Sequence, residues 1–102
     1  MKVCFKNDKD KAFYEDYKGL SIKYGQQTAR KIVQRIIELR EAINPQKLPK
    51  NSNFHQHGGQ REGLFSVDLN QPFRLIVLPK CDYVHYFEIT DIQIYEVYNA
   101  HK

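Results

Sequence analysis

Leu64-Phe65-Ser66-Val67-Asp68-Leu69, then Asn70-Gln71-Pro72, then Phe73-Arg74-Leu75-Ile76-Val77-Leu78 is the stretch that decides the fold. Two apolar runs of strand length separated by three residues of turn chemistry read as a β-hairpin, with Phe65, Val67 and Leu69 alternating onto one face. In the second run Phe73, Leu75 and Val77 take one side, and Arg74, Ile76 and Leu78 take the other. If the first set faces a core, Arg74 points to the opposite face. A charged group inside an apolar strand needs a partner, a ligand or an open surface.

Working outward, the tail from Val84 to Tyr98 is rich in β-branched and aromatic residues and is strongest over Ile92-Gln93-Ile94-Tyr95-Glu96-Val97-Tyr98. It reads as one long strand or two short ones after a turn at Lys80-Cys81-Asp82. At the other end, Lys2-Val3-Cys4-Phe5-Lys6 alternates polar with apolar and is punctuated by Asn7-Asp8, as a short strand and a helix cap would be. Phe13, Tyr17, Leu20 and Tyr24 then recur at helical steps, and Gly25 supplies a stop. Ala29, Ile32, Val33, Ile36, Leu39 and Ile43 repeat the spacing, with Arg30, Lys31, Arg35 and Arg40 assigned to other faces. This second helix runs from about Gln27 to Ile43 and ends at Asn44-Pro45, because the residue before a proline is pushed out of the helical region.

Between helix and hairpin, residues 45–63 hold two prolines, three glycines and no sustained periodicity. This reads as a long loop, and loops of such length in small domains are more often functional than idle. The predicted order is strand, helix, helix, strand, strand, strand. Two adjacent helices do not make a regular βαβ alternation, so the expected class is α+β, with a mostly antiparallel sheet and the two N-terminal helices packed on one face.

The 102 residues suit a single domain, 1–102, and the 41% hydrophobic share with charges of mixed sign argues against disorder. No apolar run approaches the roughly 20 residues that span a bilayer, and the N-terminal stretch lacks a secretory signal's apolar core, so a cytoplasmic protein is expected. Cys4 and Cys81 belong to no CxxC pattern and read as reduced, structural thiols. Sixteen Lys and Arg against twelve Asp and Glu give a net charge of +4, which favours approach to a polyanion only modestly.

Four histidines, His55, His57, His85 and His101, have unperturbed pKa values near neutrality, and two lie in the long loop. His55-x-His57 offers two metal ligands, but no third has a recognisable spacing. Phosphate-loop and serine-hydrolase motifs are absent, and Glu62 and Glu96 are isolated rather than paired. Cleavage of RNA by its own 2′-hydroxyl needs a base, an acid and cations on the phosphate. Histidine and arginine supply all three without metal or cofactor. Taken alone, Arg74 reads more readily as an ion-pair partner, to Asp68 or Glu96, than as a catalyst.

The run His55-Gln56-His57-Gly58-Gly59-Gln60-Arg61-Glu62-Gly63-Leu64-Phe65-Ser66-Val67-Asp68-Leu69, followed by Gln71-Pro72-Phe73-Arg74-Leu75-Ile76, resembles the central signature of HigB-type killer proteins of the RelE/ParE superfamily. Lys23-Tyr24-Gly25 and the Ala29 to Leu39 stripe are similar to the same family, so the likeness covers nearly the whole chain. It implies a RelE-like fold and a toxin of a toxin–antitoxin system that acts as a ribosome-dependent messenger-RNA endonuclease. It also implies neutralisation by a HigA-like helix-turn-helix antitoxin in a hetero-oligomer.

Carried over by residue, the resemblance makes His55 the loop histidine, Arg74 the strand arginine and His101 the histidine of the tail. These are the candidate catalytic residues, with Arg61, His57, Lys50 and Lys80 as candidate RNA or phosphate contacts. The family's Asp-Tyr-His tail reads Asn99-Ala100-His101 here, and Gly58 replaces a loop lysine for which Lys50, Lys80 or Arg61 would have to compensate. Two other expectations stay open at this point. One is a ParE-like toxin that binds DNA gyrase without catalysis, and the other a degraded toxin that retains only antitoxin binding.

Overall fold

The computed structural model describes residues 1–57 and 63–101. Among these, β1 (Lys2–Phe5) leads into α1 (Asp8–Tyr14), α2 (Tyr17–Tyr24) and α3 (Gln26–Glu41), followed by β2 (His55–Gln56), β3 (Phe65–Asp68), β4 (Phe73–Pro79) and β5 (Asp91–Asn99). The strands form one sheet in the order β1-β5-β4-β3-β2, antiparallel except where β1 runs parallel to β5. The α+β class and mostly antiparallel sheet expected from the sequence are therefore present, and β3 and β4 form the expected hairpin.

The element order departs from expectation in one place because the first helix is two. A continuous helix would place Tyr14 and Leu20, six residues apart, about 120° from each other around its axis. Both are buried in the core. The break at Glu15-Asp16, where Asp16 is extended, rephases the chain so that both reach it. Asn7 opens α1 by accepting the Asp10 N–H at 2.8 Å. Gly25, at φ +89°, joins α2 to α3 in a conformation that a side chain would disfavour.

The third helix also ends earlier than expected. It stops at Glu41, so Ile43, the last residue of the predicted stripe, is 76% exposed. Arg35 is the larger correction: assigned to a polar face, it is only 2% exposed. Ile32, Ile36 and Leu39 of α3 pack with Phe65, Val67, Leu75, Val77, Ile92 and Ile94 in one core. Their cross-strand register, Phe65 with Val77 and Val67 with Leu75, puts these apolar residues on the helix-covered face of the sheet.

The stretch read as a plain loop contains 3-10 turns at Pro45–Lys47 and Lys50–Ser52 and the two-residue edge strand β2. The tail strand begins only at Asp91, because Tyr86–Glu88 forms a further 3-10 turn. Both cysteines are free thiols. Among the described residues, no helix is long and apolar enough to cross a membrane.

Candidate functional site on the sheet face remote from the helices

Strand alternation and register build the site. Asp68 pairs with Arg74 across β3 and β4, and Arg74 with Tyr98 across β4 and β5, so the three share the face turned away from the helices. The adjoining row is His55, Ser66, Ile76 and Glu96. Just past the second row β5 carries a register shift, Ile76 facing Glu96 while Val77 faces Ile94. The ring of His57, which follows β2, meets Tyr98 edge-on at 5.3 Å, so this side chain reaches towards β5.

Arg74 is held rather than free. Its Nε lies 3.1 Å from Asp68 Oδ1, and its Nη1 donates to the Phe73 carbonyl at 3.1 Å. Asp68 Oδ2 accepts from Asn53 Nδ2 at 3.2 Å. Both side chains are about three-quarters covered, which strengthens their attraction over that of a surface pair.

The same carboxylate residue is anchored from the other side of the sheet. Arg35 Nε donates to the Asp68 backbone carbonyl at 2.8 Å, Nη2 to the Asn51 carbonyl at 3.0 Å, and Nη1 to Glu38 Oε1 at 2.8 Å. Burial alone would raise the Glu38 pKa, but hydrogen bonds from Arg35 and Gln34, with the charges of Arg35 and Lys31, bring it below the usual value. Arg35 thus ties α3 to the end of β3 and to the turn that leads into β2. Its signal was present in the sequence, since it stands three residues after Ile32 and four before Leu39, on the apolar side of the helix.

His55 Nδ1 lies 2.6 Å from the Asn53 carbonyl oxygen, which accepts only, so Nδ1 carries the proton and Nε2 of the neutral ring is the lone-pair nitrogen. The imidazole is exposed, and its cross-strand partner Ser66 is buried with its hydroxyl unpaired among the described residues. This arrangement offers a proton acceptor, a forked cation and an aromatic ring on one sheet face.

The other predicted residues are less gathered. His101 is exposed just beyond β5, at the Arg74 end of the sheet, because Asn99 pairs with Phe73 and the Ala100 N–H donates to the Pro72 carbonyl at 2.9 Å. Lys50 is exposed on the turn before β2. Lys80 lies past the far end of β4, six residues from Arg74, or roughly 20 Å at the rise of a strand. Arg61 and Gly58 fall outside the described residues. Among those described, no three His, Cys, Asp or Glu side chains gather as a metal site. Sequence reasoning had passed over Asn53 and Tyr98, whose parts come from long-range pairing that no local pattern announces.

No family model matches the chain, and no curated protein matches it significantly.

Proposed function

We propose that this chain is a HigB-type toxin of the RelE/ParE superfamily, an endoribonuclease that inhibits translation by cutting messenger RNA on the ribosome in the cytoplasm. The observation that carries this reading is the placement of Arg74 beside Tyr98 on the face remote from the helices, with His55 on the same side and its Nδ1 held by the Asn53 carbonyl. In the reaction, His55 Nε2 takes the proton of a 2′-hydroxyl as the 2′-oxygen bonds to the adjacent phosphorus. The bond from phosphorus to the 5′-oxygen breaks, and His101 delivers a proton to that leaving oxygen. The products are a cyclic phosphate and a free 5′-hydroxyl, and the Arg74 guanidinium bears on the charge that builds on the phosphate. No metal or cofactor takes part. A HigA-like helix-turn-helix antitoxin is the neutralising partner in a hetero-oligomer.

A second reading, an inactive remnant that keeps only antitoxin binding, draws support from the ion pair itself: a guanidinium already matched by Asp68 has less charge to offer a phosphate. The test is induced expression followed by mapping of transcript ends. Growth arrest with cuts inside translated regions, and weak cutting of free RNA, is the expected result. Arrest with intact transcripts and broken DNA would point instead to a gyrase poison, and absence of arrest to the remnant.

A further inference from the structure

Beside His55 opens a cleft of about 540 Å³ whose walls are mostly rings. Phe54 stacks on Phe65 with centroids 4.8 Å apart and planes 17° apart, Tyr83 meets Phe65 at 6.3 Å, and Tyr86 lies 6.4 Å from Phe54. Phe65 belongs to the core and Phe54 and Tyr83 pack against it, so the inner walls are rigid. Tyr86, by contrast, is 43% exposed. The outer wall is also braced, because Glu88 Oε1 accepts the backbone N–H of Val84 and of His85, both at 3.1 Å. None of these rings has a part in the chemistry described above.

We propose that this cleft binds one unpaired base of single-stranded RNA, stacked against Tyr86, next to the nucleotide whose phosphate meets Arg74. The inference rests on the reading that RNA lies along this edge of the sheet. Flat ring walls with polar groups at the rim, here the Gln56 amide, the His55 imidazole and the tyrosine hydroxyls, match a nucleobase, which has apolar faces and a hydrogen-bonding edge. An apolar peptide helix would need an aliphatic groove, and among the described residues the sole aliphatic one lining the cleft is Val84. The net charge of +4 favours the nucleic acid over a cationic partner. Phe65 stands three residues along β3 from Asp68, about 10 Å at the rise of a strand and on the opposite face of the sheet, so one RNA segment serves both sites by rounding the β2 edge, where His55 lines the cleft.

The probe is a 2′-O-methyl RNA hexamer, which cannot be cut, titrated into the full chain while backbone amide NMR shifts are followed. Shifts are expected at Phe54, Gln56, Phe65, Tyr83 and Tyr86. Tyr86→Ala, at an exposed position that tolerates truncation, should weaken binding about tenfold, whereas Tyr86→Phe should bind like the parent. A hexamer series with one abasic position should lose the same factor at one register, and Tyr86→Ala should lose nothing further there. Shifts confined to other residues, abasic hexamers that bind equally well, or no shifts at millimolar RNA would overturn the proposal. So would shifts at these residues from an amphipathic peptide and none from RNA. If the hexamer binds here and ribosome-dependent cutting is absent, the nuclease reading fails while the base site stands.

Discussion

Nε of the buried Arg35 donates a 2.8 Å hydrogen bond to the backbone carbonyl of Asp68, the residue whose carboxylate faces Arg74 on the opposite side of the sheet. Removing the guanidinium would strand the Asp68 and Asn51 carbonyls and leave Glu38 without its cation. Arg35→Ala is therefore expected to cost about 2–4 kcal/mol, and Arg35→Lys somewhat less, since an ammonium cannot reproduce the fork. Chemical denaturation of both variants checks this, and parental stability in Arg35→Ala would show the clamp to be idle.

Arg74 separates catalysis from support. Arg74→Ala should lose about 1 kcal/mol from its partly covered ion pair and stay folded, yet abolish transcript cleavage, while Arg74→Lys keeps a small part of the activity. Unfolding midpoint and ribosome-dependent cleavage are to be measured on the same sample. A folded, fully active Arg74→Ala ends the catalytic claim, and a poorly folded one assigns the residue to the sheet.

Leu75 and Ile36 face each other's layer in the core between sheet and α3, and both are buried. Replacing either with Ala should cost about 2–5 kcal/mol, whereas Ile22→Ala, on an exposed turn of α2, should stay within about 0.5 kcal/mol. Equal effects at all three positions would contradict the helix-on-sheet packing.

Stability should fall at both pH extremes, for separable reasons. Burial, then the nearby Tyr24 and Asp10, raises the Tyr14 pKa, so above about pH 10 the unfolded chain ionises this phenol while the folded chain does not, and stability drops as pH rises. Tyr14→Phe should flatten that limb. The Glu38 pKa is lowered on balance, so its contribution is present above the ordinary carboxylate range and is lost as pH falls through the folded value. Glu38→Gln should flatten the acid limb, and denaturation curves across pH read both.

How much of this was legible in advance follows from the range of the interactions. Alternation along Phe73 to Leu78 placed Arg74 on the face opposite the core before any coordinates, because pleating in a strand is local geometry; it did not reveal that Ser66 and Ile76 are buried on that face too. The same reasoning found the hairpin and the Gly25 stop. The helical stripe misassigned Arg35 because a charge was taken to mean solvent. Its apolar neighbours at Ile32 and Leu39 were the better guide, and a guanidinium can be buried where carbonyls and a carboxylate receive its donors.

By itself, then, the sequence determined the α+β class, the hairpin, the alternation of its strands and which titratable and cationic groups the chain carries, since periodicity and functional groups are properties of the chain alone. The tertiary structure alone decided that the first helix breaks at Asp16, that β1 joins β5 in parallel and that Asp68 serves Arg35 and Arg74 from opposite sides. It also gathered the rings of Phe54, Phe65, Tyr83 and Tyr86 around one cleft. The strand pairing, the Arg35 contact and the ring cluster join residues separated in sequence, and which such groups meet is settled by how the layers pack, a choice that no short window of residues encodes.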